Sequence, residues 1–236
     1  MNLSIRLTAC LGLLAAILVG TGEFLLHYDP LARFGDGYAY MADISDARLT
    51  AGHFFAMIGI PLYFVGCWHI YQMLKPGGNT LAFVAFLIGS YGFMMGAVWM
   101  GSRASIASIQ HFPDVVANTN LQQLYELRYE TLLQGVRLGV LAMSGITAYM
   151  IFTRKTRFPR WMAITNPFVL ILCSFLVFAI VPSIGKYVMP IAMNVAFGIF
   201  YSLSLMFGDM SSPEANFRPA SGPEAHADSA LKTSRT

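Results

Sequence analysis

The sequence predicts an all-α, polytopic membrane protein, folded as a bundle of six transmembrane helices. The first observation behind this prediction is composition: of 236 residues, 56% are hydrophobic and only 11% are charged. A soluble globular domain carries about 25% charged residues, so most of this surface is expected to face lipid. The second observation is a series of long apolar stretches separated by polar breaks, each near the roughly 20 residues that a spanning helix needs.

Six stretches meet that length: residues 6–27, 50–73, 80–103, 130–152, 161–182 and 185–207. The breaks between them contain proline, glycine and charged residues, which stop helices or favour turns. The fourth helix is expected to begin earlier, near Asn120, and to end near residue 153. Such a helix would be about 50 Å long, so it should tilt or project from the bilayer.

Basic residues are distributed unevenly between the two sides of the predicted bundle. The side of the N-terminus carries Arg6, Lys75 and a cluster between spans four and five, namely Arg154, Lys155, Arg157 and Arg160. The opposite connections mix arginines with many aspartates and glutamates. Cytoplasmic loops of membrane proteins are enriched in lysine and arginine. We therefore expect a multi-pass protein of the plasma (inner) membrane with both termini in the cytoplasm.

Two domains are predicted. Residues 1–208 should form the transmembrane domain, and residues 209–236, rich in Ser, Pro, Ala and isolated charges, a disordered cytoplasmic tail. No basic cluster is interleaved with aromatic residues, so no nucleic-acid partner is expected. The expected partners are membrane lipids and, as a candidate, a lipophilic small molecule. The sequence leaves the oligomeric state open.

An acidic residue near the end of the first span marks the predicted polar site. Glu23 and His27 are four residues apart, so they share one face of a helix. Placing an ionisable residue in a membrane costs about 2.5–3.5 kcal/mol on insertion scales, and such residues are usually functional or paired. Both therefore need polar partners from other spans.

The predicted topology brings six further polar residues to a similar depth. They are His53 on span two, Trp99 and Arg103 on span three, Glu130 and Arg137 on span four, and Asn194 on span six. We predict catalytic roles for Glu23, His27 and Glu130, through proton transfer. The remaining five are predicted to bind the substrate.

Three other interpretations remain open. In the plainest one, Glu23 pairs with Arg103 or Arg137, Glu130 pairs with the other arginine, and the pairs only lock helices together. A metal site is a second interpretation, because Glu23, His27, His53 and Glu130 have suitable donor atoms. However, the sequence has neither an HExxH motif nor a histidine-rich box. Haem ligation by His27 and His53 is the third interpretation. We assign no metal, and the cofactor stays unknown.

The connection between the first two spans contains four aromatic residues, Tyr28, Phe34, Tyr38 and Tyr40, among glycines and aspartates. They could form a lid at the level of the lipid head groups. An ordinary aromatic belt at the membrane interface is the interpretation that we favour.

These features predict a membrane-embedded enzyme or binding protein for a lipophilic substrate, with a polar pocket on the outer side and acid–base chemistry at Glu23. Two other classes remain as alternatives. One is a small proton-coupled transporter that uses Glu23 as its carrier site. The other is an accessory subunit of a membrane complex. The sequence selects no substrate and no reaction.

Overall fold

The computed structural model describes residues 3–33, 37–117 and 119–209, and these residues form helices and no β-strand. The described part of the chain contains eight α-helices, α1 (Leu3–His27), α2 (Asp46–Leu74), α3 (Asn79–Ile109), α4 (Pro113–Val116), α5 (Thr119–Thr153), α6 (Pro167–Ile180), α7 (Pro182–Val188) and α8 (Ala192–Phe207). Short 3₁₀ helices lie at Ala39–Asp43, Lys75–Gly77, Arg160–Ala163 and Met189–Ile191. The all-α prediction is confirmed for this part. Residues 210–236 of the predicted tail lie outside the described residues.

Five helical segments are long and apolar enough to cross a membrane: Ser4–His27, Asp46–Gly77, Asn79–Ile109, Asn120–Thr153 and Pro182–Phe207. They indicate a multi-pass membrane protein. The predicted span 161–182 instead contains α6, which has 14 residues. A helix of that length extends about 21 Å, whereas the hydrocarbon core of a bilayer is about 30 Å thick. The count of six spans therefore stays a prediction.

Local chemistry explains why α6 is shorter than its apolar stretch. The Asn166 side chain accepts hydrogen bonds from the backbone N–H groups of Phe168 and Val169, and Pro167 occupies the first helical position. The apolar residues before Asn166 form a separate 3₁₀ turn, Arg160–Ala163. At the other end, Pro182 begins α7. Hydropathy alone merges the apolar residues of the 3₁₀ turn with those of the helix.

The long helices form a ring in which α1 packs on α2, α2 on α3, α3 on α5, and α8 on α1 and α6. The ring closes where α6 meets α5, and this contact is sparser than that between α3 and α5. We call the end of the ring where α1 ends and α2 begins the distal end. The opposite end, where α2 and α8 end, is the proximal end.

Glycines allow α1 to approach both of its neighbours closely. A Cβ atom on Gly22 would lie 2.5 Å from the carbonyl oxygen of Gly52 and 2.6 Å from the backbone nitrogen of Ala56, both on α2. A Cβ atom on Gly20 would lie 3.1 Å from the Cβ of Asn194 on α8. Small residues at such crossings let helix backbones meet in a membrane. Glu23 follows directly, so the two crossings fix its position between α2 and α8.

At the proximal end, the segment after α5 is joined to two other helix ends through its backbone. The N–H group of Arg157 donates to the carbonyl of Met73, and the carbonyl of Arg157 accepts from the N–H group of Asp209, both at 2.9 Å. The predicted basic cluster thus lies at the ends of α2, α5 and α8.

At the distal end, Arg33 joins two aspartates of the connection between α1 and α2. Its side chain donates to Asp29 at 2.9 and 3.0 Å and to Asp43 at 2.8 Å. Asp29 also accepts from the backbone N–H of Arg33, and its side chain is buried. These hydrogen bonds lower the pKa of Asp29 from its ordinary 3.8 to about 2.

This lowered pKa predicts an acid-sensitive connection. A carboxyl with a depressed folded-state pKa contributes stability that is present above the unfolded pKa of 3.8 and is lost as the pH falls toward about 2. We expect the midpoint of thermal unfolding in detergent to fall between pH 4 and pH 2.5, by the equivalent of about 1–2 kcal/mol. Asp29→Asn should be destabilised at pH 6 by a similar amount and should lose this pH dependence. Asp114→Asn, on the exposed surface of α4, is the control and should behave as the wild type.

Candidate functional site

A cavity of about 650 Å³ lies in the distal half of the ring, bounded by α1, α3, α5, α6, the start of α8 and residues 37–40. Six of the eight predicted site residues line it: Glu23, His27, Trp99, Arg103, Glu130 and Arg137. The helices that contribute them are far apart in sequence. The structure thus brings these six together, while their catalytic and binding roles stay predictions.

Glu23 is the buried acid of this cavity, with a relative exposure of 6%. The side-chain N–H of Asn194 donates to a carboxyl oxygen of Glu23 at 2.5 Å. The hydroxyl of Tyr63, on α2, donates in turn to the amide oxygen of Asn194 at 2.7 Å. The three side chains form a chain of hydrogen bonds that links α2, α8 and α1. Asn194 lines a second groove between α1 and α8 rather than the main cavity.

His27 lies one turn beyond Glu23. Its Nδ1 is 3.2 Å from the backbone carbonyl of Glu23 and 4.0 Å from the Glu23 carboxylate. A carbonyl has no proton to give, so Nδ1 is the donor in that bond, and the Nε2 of a neutral ring is left as an acceptor. The ring lies 5.6 Å from that of Trp99, centroid to centroid. His27 is therefore held in a fixed tautomer beside the acid.

Arg103 is the buried cation of the cavity, with an exposure of 4%. Its guanidinium donates to the hydroxyl of Tyr129 and, at 2.9 Å, to that of Tyr40. Its Nε has no hydrogen-bond partner among the described residues. No carboxylate in the described part of the chain lies within 4.0 Å of it. The interpretation in which Glu23 and Arg103 form a structural ion pair is therefore wrong.

Glu130 and Arg137 are both exposed and line the cavity two turns apart on α5. Glu130 accepts a hydrogen bond of 2.6 Å from the hydroxyl of Tyr38. Burial, together with this bond, raises the pKa of Tyr38 above its ordinary value, so the phenol remains a neutral donor. Neither Glu130 nor Arg137 forms an ion pair within the described residues, so the interpretation in which Glu130 pairs with an arginine is also wrong.

His53 does not join this site. A Cβ atom on Gly101, on α3, would lie 3.8 Å from the Cε1 of His53, and His53 is not part of the cavity wall. The reason is helical geometry, because Gly52 faces α1 and the next residue is turned by about 100° around the helix. The prediction of similar depth did not specify which face of α2 would carry His53.

Much of the remaining wall is apolar and comes from α5 and α6. It contains Leu138, Leu141, Phe168, Ile171, Leu172 and Phe175. Several of these side chains are also highly exposed, including Leu138 at 65% and Leu172 at 51%, and α5 and α6 are the most sparsely packed neighbours in the ring. The cavity therefore opens sideways between α5 and α6, toward the expected position of the lipid chains.

Four tyrosines shape the site, and none of them was among the eight predicted site residues. Tyr63 is hydrogen-bonded to Asn194, and Tyr129 is hydrogen-bonded to Arg103. Tyr38 and Tyr40 line the cavity, so they do more than form an interfacial belt. Tyr63 had a detectable signal. A phenol in the middle of a predicted span needs a hydrogen-bond partner in another helix, because lipid offers none. Tyr129 precedes the predicted Glu130, which was a weaker signal.

The side chains considered for a metal do not converge. Within residues 3–33, 37–117 and 119–209, no three His, Cys, Asp or Glu side chains are grouped so that they could hold a metal ion. The four candidate ligands are divided, because His53 faces α3 while Glu23, His27 and Glu130 line the cavity.

One family model matches residues 1–208 and is described as "Family of unknown function (DUF6796)". No curated protein and no solved structure gives a significant match to the chain. The family match covers far more than half of the sequence. The chain therefore belongs to the DUF6796 family.

Proposed function

We propose that this protein is an integral protein of the inner membrane that binds a lipophilic substrate in the distal cavity and converts it by acid–base chemistry at Glu23. In this proposal six apolar helices lie in the membrane, α6 among them, both termini are cytoplasmic and the cavity is on the outer side. The orientation is supported by the basic cluster Arg154–Arg160 at the proximal end.

The observation that carries the proposal is a buried carboxyl in the wall of a cavity that is otherwise half apolar. Glu23 has one neutral donor, Asn194, and its second carboxyl oxygen lies 4.0 Å from His27. In this position the carboxyl can give a proton to a bound molecule or take one from it. The free Nε2 of His27 offers a second acceptor on the same wall.

A Glu23→Gln variant tests this proposal. Glutamine keeps the shape and an acceptor for Asn194 but cannot transfer the proton. We expect the purified variant to fold normally and to retain a lipophilic molecule that the wild type converts and releases. Native mass spectrometry and lipid extraction should show this species at least tenfold enriched over the wild type. Glu126→Gln, on α5 and outside the cavity wall, is the matched control, because it makes the same chemical change away from the site.

The lipid contents decide the outcome. If Glu23→Gln and the wild type carry the same lipids in the same amounts, Glu23 does not convert a bound substrate. If neither protein carries a lipid beyond those held equally by Glu126→Gln, the cavity is not a lipid site.

A proton-coupled transporter is the second candidate, and one observation favours it. The last spanning segment is broken into α7, the 3₁₀ turn Met189–Ile191 and α8, and Asn194 follows this break. Broken helices often form the substrate sites of transporters. Asn194 also lines the second groove, of about 580 Å³, so the Glu23–Asn194 pair lies between two cavities. In this case the wild type reconstituted in liposomes should move protons, and Glu23→Gln should not.

A further inference from the structure

We infer that the distal cavity takes a single-chain amphiphile with an anionic head group, a phosphate or a carboxylate. The head group would lie against Arg103 and Arg137, and the chain would leave between α5 and α6. This inference rests on the proposed function and narrows its substrate class.

The first argument is that Arg103 forms no ion pair with a carboxylate among the described residues. An arginine is almost never fully buried unless it is paired. Arg103 is 4% exposed, yet its bonds go only to the neutral phenols of Tyr129 and Tyr40. Its Nε remains without a partner among the described residues. An anion in the cavity would supply the missing counter-charge, and a guanidinium suits phosphate and carboxylate alike.

The second argument is that the acids of the cavity already have neutral partners. Glu23 accepts from Asn194, and Glu130 accepts from Tyr38. Among the described residues, neither Glu23 nor Glu130 forms an ion pair within 4.0 Å with Arg103 or Arg137. Arg137 lines the same cavity from α5 and adds a second positive charge. Within residues 3–33, 37–117 and 119–209, neither arginine is held in an ion pair, so both can contact a ligand.

A third polar group points to the same end of the cavity. The indole N–H of Trp99 is buried and has no hydrogen-bond partner among the residues described. Trp99 is 5% exposed, lines the cavity and lies one turn from Arg103 on α3. A buried donor without an acceptor is energetically unfavourable. An oxygen of an anionic head group would satisfy it.

The apolar side of the cavity accounts for the chain. Leu138, Leu172 and Phe175 line the cavity and are 65%, 51% and 45% exposed, beside the sparse contact between α5 and α6. A chain in contact with them would pass from the cavity into the lipid without crossing a polar barrier. A volume of about 650 Å³ is within the range of about 300–1,000 Å³ of ordinary ligand pockets. It suits one head group and part of one chain.

The cavity tryptophan provides a direct test. In a full-length Trp68→Phe/Trp161→Phe variant, Trp99 is the remaining tryptophan of the three. The variant in phosphatidylcholine nanodiscs is titrated with four probes. Three of them carry the same dibrominated acyl chain and differ in the head group: a lysophosphatidic acid, a fatty acid and an uncharged monoacylglycerol. Inorganic phosphate, as a competitor, is the fourth. Bromine quenches tryptophan fluorescence at short range.

We expect saturable quenching of Trp99 by both anionic probes, with an apparent Kd at least tenfold below that of the monoacylglycerol. Arg137→Gln should raise the Kd for the anionic probes about tenfold. Arg137 is exposed and forms no ion pair among the described residues, so this variant is expected to fold. Arg128→Gln, exposed on α5 outside the cavity wall, should change nothing. Trp68 alone, in a Trp99→Phe/Trp161→Phe variant, should show only non-saturable quenching.

Each contrary result has a separate meaning. Equal affinity for the monoacylglycerol, with no effect of Arg137→Gln, would overturn the anionic head group and leave the lipophilic site standing. Displacement of the probes by inorganic phosphate at the probe's own concentration would overturn the role of the chain. No saturable quenching by any probe would overturn this inference together with the proposed lipid site.

Discussion

Replacement of Gly22 by alanine, the addition of a single methyl group, is expected to destabilise the protein by about 2–3 kcal/mol or to prevent folding. The new Cβ atom would lie 2.5 Å from the carbonyl oxygen of Gly52 and 2.6 Å from the backbone nitrogen of Ala56. Both are backbone atoms of α2, so no side-chain rotation can relieve the overlap. The helices would have to separate, which would loosen the crossing that positions Glu23.

The measurement is thermal unfolding in detergent, with size-exclusion chromatography to detect misassembled protein. Gly96→Ala and Gly145→Ala are matched controls, because a Cβ atom at either position would have no neighbour within 4 Å. These two variants should be as stable as the wild type or slightly more so, since alanine favours helix over glycine by about 1 kcal/mol. A Gly22→Ala protein as stable as the controls would contradict the close crossing of α1 and α2.

Replacement of Asn194 by leucine should have the second largest effect, a loss of about 1–3 kcal/mol. Leucine keeps the approximate volume but leaves the Tyr63 hydroxyl without an acceptor and the Glu23 carboxyl without its donor. The Tyr63 side chain is buried and lines neither cavity, so water does not readily replace its lost acceptor. Denaturation in mixed micelles, followed by circular dichroism, measures the change.

Two further variants show whether the loss comes from this hydrogen-bond chain. Tyr63→Phe combined with Asn194→Leu should cost less than the sum of the single changes, because the phenol no longer needs an acceptor. Ser144→Ala removes a buried hydroxyl that has no partner among the described residues, and it should cost nothing measurable. Strictly additive losses would show that Tyr63 and Asn194 act independently.

The sequence predicted the long helices well, because each has the length and the apolar composition of a spanning segment. The fourth helix, expected from near Asn120 to about residue 153, is α5, Thr119–Thr153. Hydropathy did not reveal the start of α6, because an asparagine cap divides one apolar stretch into a 3₁₀ turn and a short helix. Side-chain capping acts over three or four residues and is invisible to a long hydropathy window.

The sequence predicted most of the residues that line the cavity, but it did not predict which residues would be hydrogen-bonded to one another. Glu23, Arg103 and Arg137 are at one level, as the topology implied, and they line one cavity. Opposite charges at one level suggested ion pairs, yet the structure joins the acids and Arg103 to neutral amide and phenol groups. Which partner each charge finds depends on helix rotation, and His53 was misplaced for the same reason. One chain alone offers no measure of that rotation.

The unequal packing around the cavity also decides which of its walls can move. On one side, α1 meets α2 and α8 at Gly22 and Gly20 with almost no space between them. On the other side, α6 has 14 residues and contacts α5 sparsely. The side that holds Glu23 is therefore stiff, and the α6 side is compliant. A longer or bulkier ligand would displace α6, while the distance between Glu23 and Asn194 would stay constant.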